Sequence, residues 1–97
     1  LYTERIAPEK RQSEYTYAIE LAPIRVNLIA AGFVPATELY GGALNEDWAA
    51  KITRGIAVGR AGTPDDVAAG VAWLVSPGAA WTNASMMVMD GGSTLNG

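Results

Sequence analysis

The 97 residues contain no histidine and no cysteine. Any chemistry therefore runs on Tyr, Lys, Asp, Glu, Ser or Thr, or on a bound cofactor. Disulfides, thiolate nucleophiles, the usual zinc ligand sets and every Ser-His-Asp arrangement are excluded together. Arg60 is placed to pair with Asp65 or Asp66, or to brace its loop; an exposed pair of that kind contributes little. Asp90 precedes Gly91-Gly92 and reads as a turn, since one carboxylate does not make a metal site. Trp48, Trp73 and Trp81 could stack on sugars or bases. Trp73 falls two residues after Val71, off the apolar stripe described below, so packing or an interface is the simpler use. Met86, Met87 and Met89 form a flexible apolar segment suited to a core or a subunit contact.

The formal charge is -3 and the pI about 4.7. Such a chain offers no basic face to a phosphate backbone, and nucleic acid is not an expected partner. No apolar run approaches the roughly 20 residues that cross a bilayer, so no membrane partner is expected either. Leu1-Tyr2-Thr3-Glu4-Arg5 leads into no apolar region of signal-peptide type, which makes the cytoplasm the default location. A composition 49% hydrophobic and 18% charged is that of a globular domain. At this length it is a single small domain with a thin stability margin.

The elements that position these residues follow from periodicity and punctuation. Residues 1–14 are polar and read equally as an arm or a frayed helix. Residues 15–97 form the structured segment. Tyr15 to Leu21 suits the last turns of a helix ended by Pro23. Ile24 to Ala31 is a β-branched apolar run closed by Gly32, the pattern of a strand covered on both faces. Phe33 to Gly42 reads as an exposed loop. Asn45 can cap a helix running to Arg54, with Glu46 and Asp47 at its positive end and Gly55 at its stop. Thr63-Pro64-Asp65-Asp66 is the clearest local signal: an N-cap, a proline at the first helical position and acids in the first turn. Val67, Val71, Leu74 and Val75 then mark one apolar stripe, and Ser76-Pro77-Gly78 ends the helix. Met86 to Met89 is a second strand. Strand, helices and strand at this spacing suggest a parallel crossover. Two strands alone are marginal in water and leave both edges open.

Four passages resemble the short-chain dehydrogenase/reductase family. Glu20-Leu21-Ala22-Pro23, Ile24-Arg25-Val26-Asn27 and Gly32-Phe33-Val34 are similar to its ELAP, IRVN and PGxV passage. Gly59-Arg60-Ala61-Gly62-Thr63-Pro64-Asp65-Asp66-Val67-Ala68 resembles GRxGxPEDVA. Val71 to Ser76 resembles VAFLAS, and Val88-Met89-Asp90-Gly91-Gly92 resembles the terminal VDGG. Their order and spacing match the family from about Tyr17 to Gly92. The resemblance implies an α/β fold: the C-terminal portion of a Rossmann-type doubly wound parallel sheet, two strands with crossover helices. It implies NAD or NADP as cofactor, with Gly32, Val34 and Thr37 at the nicotinamide carboxamide.

The resemblance also implies what should lie elsewhere. The family's glycine-rich phosphate turn and its catalytic Ser belong upstream of Leu1, and no Gly-x-x-x-Gly-x-Gly occurs in these residues. The family's Tyr-x-x-x-Lys, in which Lys lowers the pKa of an acid–base Tyr, would fall at Thr3 and Ala7. Tyr2, Tyr15, Tyr17 and Tyr40 are followed four residues on by Ile6, Ile19, Leu21 and Leu44. Tyr2 and Lys10 are out of register, so no catalytic residue is assigned. Ala31 replaces the family's Pro, two residues before Ile24 are deleted, Thr37 stands one place late, and Thr82-Asn83-Ala84 replaces a (V/I)TG turn. Three readings follow: the C-terminal segment of an NAD(P)-dependent oxidoreductase, inactive alone; a non-catalytic remnant; or a small binding protein using the Phe33–Gly42 loop and the tryptophans. The first two imply as partner a homo-oligomer or a missing N-terminal half, because the family's last helix and strand commonly form subunit contacts.

Overall fold

The structure, a computed structural model, describes residues 8–35 and 46–93. Helix α1 spans Pro8–Glu20, strand β1 Leu28–Ala31, helix α2 Glu46–Arg54, helix α3 Pro64–Leu74 and strand β2 Met86–Met89. A single 3₁₀ turn, Pro77–Ala79, links α3 to β2. The strands pair in parallel, with Leu28 opposite Met86 and Ala31 opposite Met89. A parallel pair needs a long crossover, and residues 32–85 with α2 and α3 supply it. This is the small parallel α/β arrangement that the sequence predicts.

Residues 8–14 belong to α1. Its inward stripe is Glu14 and Ala18, four residues apart, while Tyr17, Ile19 and Leu21 are exposed. Glu14 is only 5% exposed, and neither carboxyl oxygen has a hydrogen-bond partner. The nearby Leu28 amide is already donated to the Ser85 carbonyl at 2.9 Å, so it offers a favourable field without a bond. Burial pushes the Glu14 carboxyl above its ordinary value, against the pull of Arg11 and that amide. Arg11 itself donates to the Tyr15 hydroxyl and lies 5.2 Å from that ring's centre.

Ile24 to Ala31 is expected as one strand, yet only Leu28–Ala31 joins the ladder. The partner strand begins at Met86, and the residues before it form a turn. The Val26 amide therefore donates to Asn83 Oδ1 at 2.9 Å, and the Ala84 amide to the Val26 carbonyl at 2.9 Å. Asn27 accepts from the Ser85 amide and donates to the Thr82 carbonyl. Arg25 donates to the carbonyls of Thr82 and Leu74, the second at the end of α3. Side chains thus replace ladder bonds over these residues, which is why the strand is half the expected length. The expected cover on both faces is also absent: along β1 only Ala30 is buried and Ala31 is exposed.

Helix α2 carries Glu46 and Asp47 in its first turn and Lys51 and Arg54 in its last, each end complementing the helix dipole. It buries none of its own residues; Trp48 meets Phe33 edge-on at 6.0 Å. The proposed cap Asn45 lies outside the described residues. Helix α3 begins as expected: Thr63 Oγ1 accepts from the Asp66 amide at 3.2 Å, and Asp66 Oδ2 accepts from the Thr63 amide at 2.8 Å. This is a reciprocal capping box. The buried stripe differs from the predicted one. Gly70 and Leu74 are buried, whereas Val71 is 46% and Val75 75% exposed. Gly70 lies on the inner face, where a Cβ would run into the Met89 sulfur. The core that results is small: Ala18, Ala30, Val34, Ile56, Leu74 and Ala79.

Candidate functional site at the strand ends

Both strands end at the same edge, where open parallel sheets bind ligands. β1 runs into Gly32-Phe33-Val34 and β2 into Asp90-Gly91-Gly92. The Gly32 amide continues the ladder by donating to the Met89 carbonyl at 3.0 Å. A Cβ on Gly32 would lie 2.7 Å from Asp90 Cβ and 2.8 Å from its Cα. Gly32 is therefore demanded by the neighbouring strand's backbone, and its amide is already used. Gly91 has φ 64, a left-handed conformation natural to glycine. Asp90 Oδ1 accepts from the Gly92 amide at 2.8 Å and holds this turn closed.

The loop after α2 forms the opposite wall. The Gly62 amide donates to the Phe33 carbonyl at 2.9 Å, and the Val58 amide to the Gly91 carbonyl at 2.9 Å. These two bonds seat residues 56–62 across both strand exits. Between them lies a cavity of about 380 Å³, lined among others by Phe33, Arg60, Asp66, Met87, Met89 and Asp90. Of the two partners the sequence offers Arg60, the structure selects Asp66, at 2.7 and 3.0 Å to its two oxygens. The Arg60 guanidinium holds the Asp66 carboxyl well below the usual carboxylate range, helped by the Thr63 amide and hydroxyl. Asp66 in turn raises Arg60.

This electrostatic arrangement limits what the cavity can do. Arg60 is the cation of the lining, and Asp66 has already neutralised it. Asp66 is fixed as an anion that accepts several hydrogen bonds, which disqualifies it as a proton donor near neutrality. With Arg60 paired to Asp66 and the Asp90 carboxyl beside them, the cavity suits a partly apolar group that is neutral or positively charged. The nicotinamide ring of a dinucleotide, neutral when reduced and cationic when oxidised, fits that description; its pyrophosphate does not, and no glycine-rich turn for it occurs in these residues. Of the predicted cofactor residues, Gly32 and Val34 come together at the strand exit, with Val34 buried. Thr37 lies outside the described residues. Sequence reasoning missed Gly62 and the pair Met87 and Met89 as parts of this site. The alternation of Met87 and Met89 opposite the lone Gly70 of α3 was the available signal.

A family model described as enoyl-(acyl carrier protein) reductase matches residues 12–94. The chain is 41% identical over 71 residues to the 3-oxoacyl-(acyl-carrier-protein) reductase of Chlamydia pneumoniae, covering 73% of this chain and 28% of that one. The solved structure of a short chain dehydrogenase from Bacillus anthracis is similar at TM-score 0.73 and 34% identity, over 87% of this chain and 33% of that one. A 4-hydroxyisoleucine dehydrogenase mutant complexed with NADH and succinate gives TM-score 0.76 at 28% identity, over 88% of this chain and 36% of that one. The chain spans about a third of the length of these proteins.

Proposed function

The chain belongs to the short-chain dehydrogenase/reductase family, and on that premise we propose that it is the C-terminal segment of an NAD(P)-dependent oxidoreductase interconverting an alcohol and a carbonyl. The observation that carries this reading is the paired exit of β1 and β2 onto one cavity whose cation, Arg60, is already paired with Asp66. In that role the segment forms the floor beneath the nicotinamide. Gly32 contributes by having no side chain and Val34 by packing against Gly62, while Thr37, outside the described residues, is the third contact the family resemblance implies. NAD or NADP, when bound, carries the hydride; the residues here orient its nicotinamide end and exclude water from it. The phosphate turn and the catalytic Ser belong to the rest of the polypeptide in this reading, while the Tyr-x-x-x-Lys positions fall at Thr3 and Ala7 of this chain.

The test compares two preparations by nicotinamide absorbance with a panel of alcohols and ketones. The 97-residue chain alone is expected to give no turnover. The polypeptide purified from its source is expected to be about three times as long, to contain the glycine-rich turn, and to turn over. A native polypeptide of these 97 residues that binds no dinucleotide overturns the reading.

A second reading, self-association, rests on a different observation. Ile24, Val71 and Val75 are exposed and line one groove with Arg25, Ile29 and Leu74. Burying such a face against a copy would stabilise the pair at roughly 25 cal/mol per Å² of apolar surface.

A further inference from the structure

The contact between α3 and the sheet includes two thioethers beside the buried Leu74 and the Arg25 bond to its carbonyl. A Cβ built on Gly70 would lie 2.4 Å from the Met89 sulfur, 2.9 Å from its methyl carbon and 3.3 Å from the Met87 sulfur. Both sulfurs thus converge on the notch left by the one residue of α3 without a side chain. Met87 and Met89 are two apart on β2 and share a face, while Met86 points to the other. Both are half-buried and line the cavity at the strand ends, which gives a small solute a path to them.

We propose that Met87 and Met89 are a peroxide-sensitive modification site whose oxidation releases α3 from the sheet. A sulfur lone pair attacks the outer oxygen of a hydroperoxide. The S–O bond forms as the O–O bond breaks, the proton moves to the departing oxygen, and that oxygen leaves as water or an alcohol. The sulfur loses two electrons and the peroxide gains them, so no further reductant or oxidant is needed. The sulfoxide is polar and larger than the thioether. At Gly70 the oxidised sulfur would present a polar oxygen where an apolar thioether now packs, which weakens the contact. A weakened contact lets α3 move outward and opens the wall of the cavity that α3 and its cap support. Sulfoxide reduction returns the thioether and the docked helix.

The purified chain is treated with hydrogen peroxide. Oxygen addition at each methionine is mapped by peptide mass, and amide hydrogen exchange is read over Pro64–Leu74. Loss of protection in α3 should track oxidation of Met89 and Met87 and not of Met86. Methionine sulfoxide reductase should restore protection. The double variant Met87→Leu plus Met89→Leu, close in volume to the original, should keep α3 protected in peroxide. Protection that survives sulfoxide at Met89, or is lost equally in the double variant, overturns the proposal. So does an α3 that exchanges freely before any oxidant is added, because the thioether contact would then hold nothing.

Discussion

Two residues occupy positions that their chemistry does not favour. Ala84 has φ 56, a left-handed conformation that costs a residue with a Cβ about 1–2 kcal/mol. It stands where the resembling family turn has glycine, and its amide is held by the Val26 carbonyl. Ala84→Gly keeps that bond, and the relief exceeds the added freedom of the unfolded chain. The denaturant midpoint should therefore rise by the equivalent of about 0.5–1 kcal/mol. Glu14 is the second case, a buried carboxyl whose oxygens find no donor. Glu14→Leu should stabilise the chain at about pH 7 by about 1–3 kcal/mol. The sign of its pH dependence follows from the raised folded value. The native protein suffers no ionisation penalty below the ordinary 4.5, and loses stability as pH rises through the raised value. The variant's advantage should shrink on acidification, and midpoints that stay parallel across pH would show that Glu14 is solvated.

At the scale of the element, α3 is the piece whose ends are best specified. Thr63→Ala removes the acceptor for the Asp66 amide and should cost about 0.5–2 kcal/mol, read as a lower urea midpoint. Asp66 adds an acid limb of opposite sign to that of Glu14. Its carboxyl is lowered from 3.8 by Arg60 and Thr63, so its contribution is complete above that ordinary value. The contribution is lost as pH falls below it. Stability of the chain should thus fall on both sides of a mildly acidic maximum. Arg60→Ala should remove much of the acid limb while leaving in place the limb at higher pH that Glu14 sets. The helix itself was legible because Thr, Pro and Asp at successive positions each satisfy or suit the first turn. Its buried face was not, because ranking side chains by apolarity overlooks Gly70, whose value lies in having none.

For the whole molecule, the described residues leave much of α1, the groove beside Val71 and the edges of β1 and β2 without cover. Among them no helix is long and apolar enough to cross a membrane. Trp81 is 100% exposed and Ile19 78%, a large apolar display for a chain whose core is built from alanines and a few branched residues. Sedimentation over a concentration series should show the isolated chain associating. Val75→Lys should shift it toward the monomer by placing a charge in the groove. A compact monomer with a cooperative melt at low micromolar concentration would reject the self-association reading and leave the family assignment untouched.

The sequence by itself determined family, strand order and the cap of α3, because these depend on local chemistry repeated at fixed spacing: Ile24-Arg25-Val26-Asn27, Thr63-Pro64-Asp65-Asp66, Asp90-Gly91-Gly92. Tertiary structure decided the rest. Where β1 begins depends on Asn83 meeting Val26, and Asn27 meeting Thr82, across 55 and more residues. Why Gly32 must be glycine depends on Asp90 in the adjacent strand. Which aspartate Arg60 chooses depends on the turn that Thr63 and Asp66 close between them. Each is a contact between distant or differently folded residues, and spacing along a chain carries no distance through space.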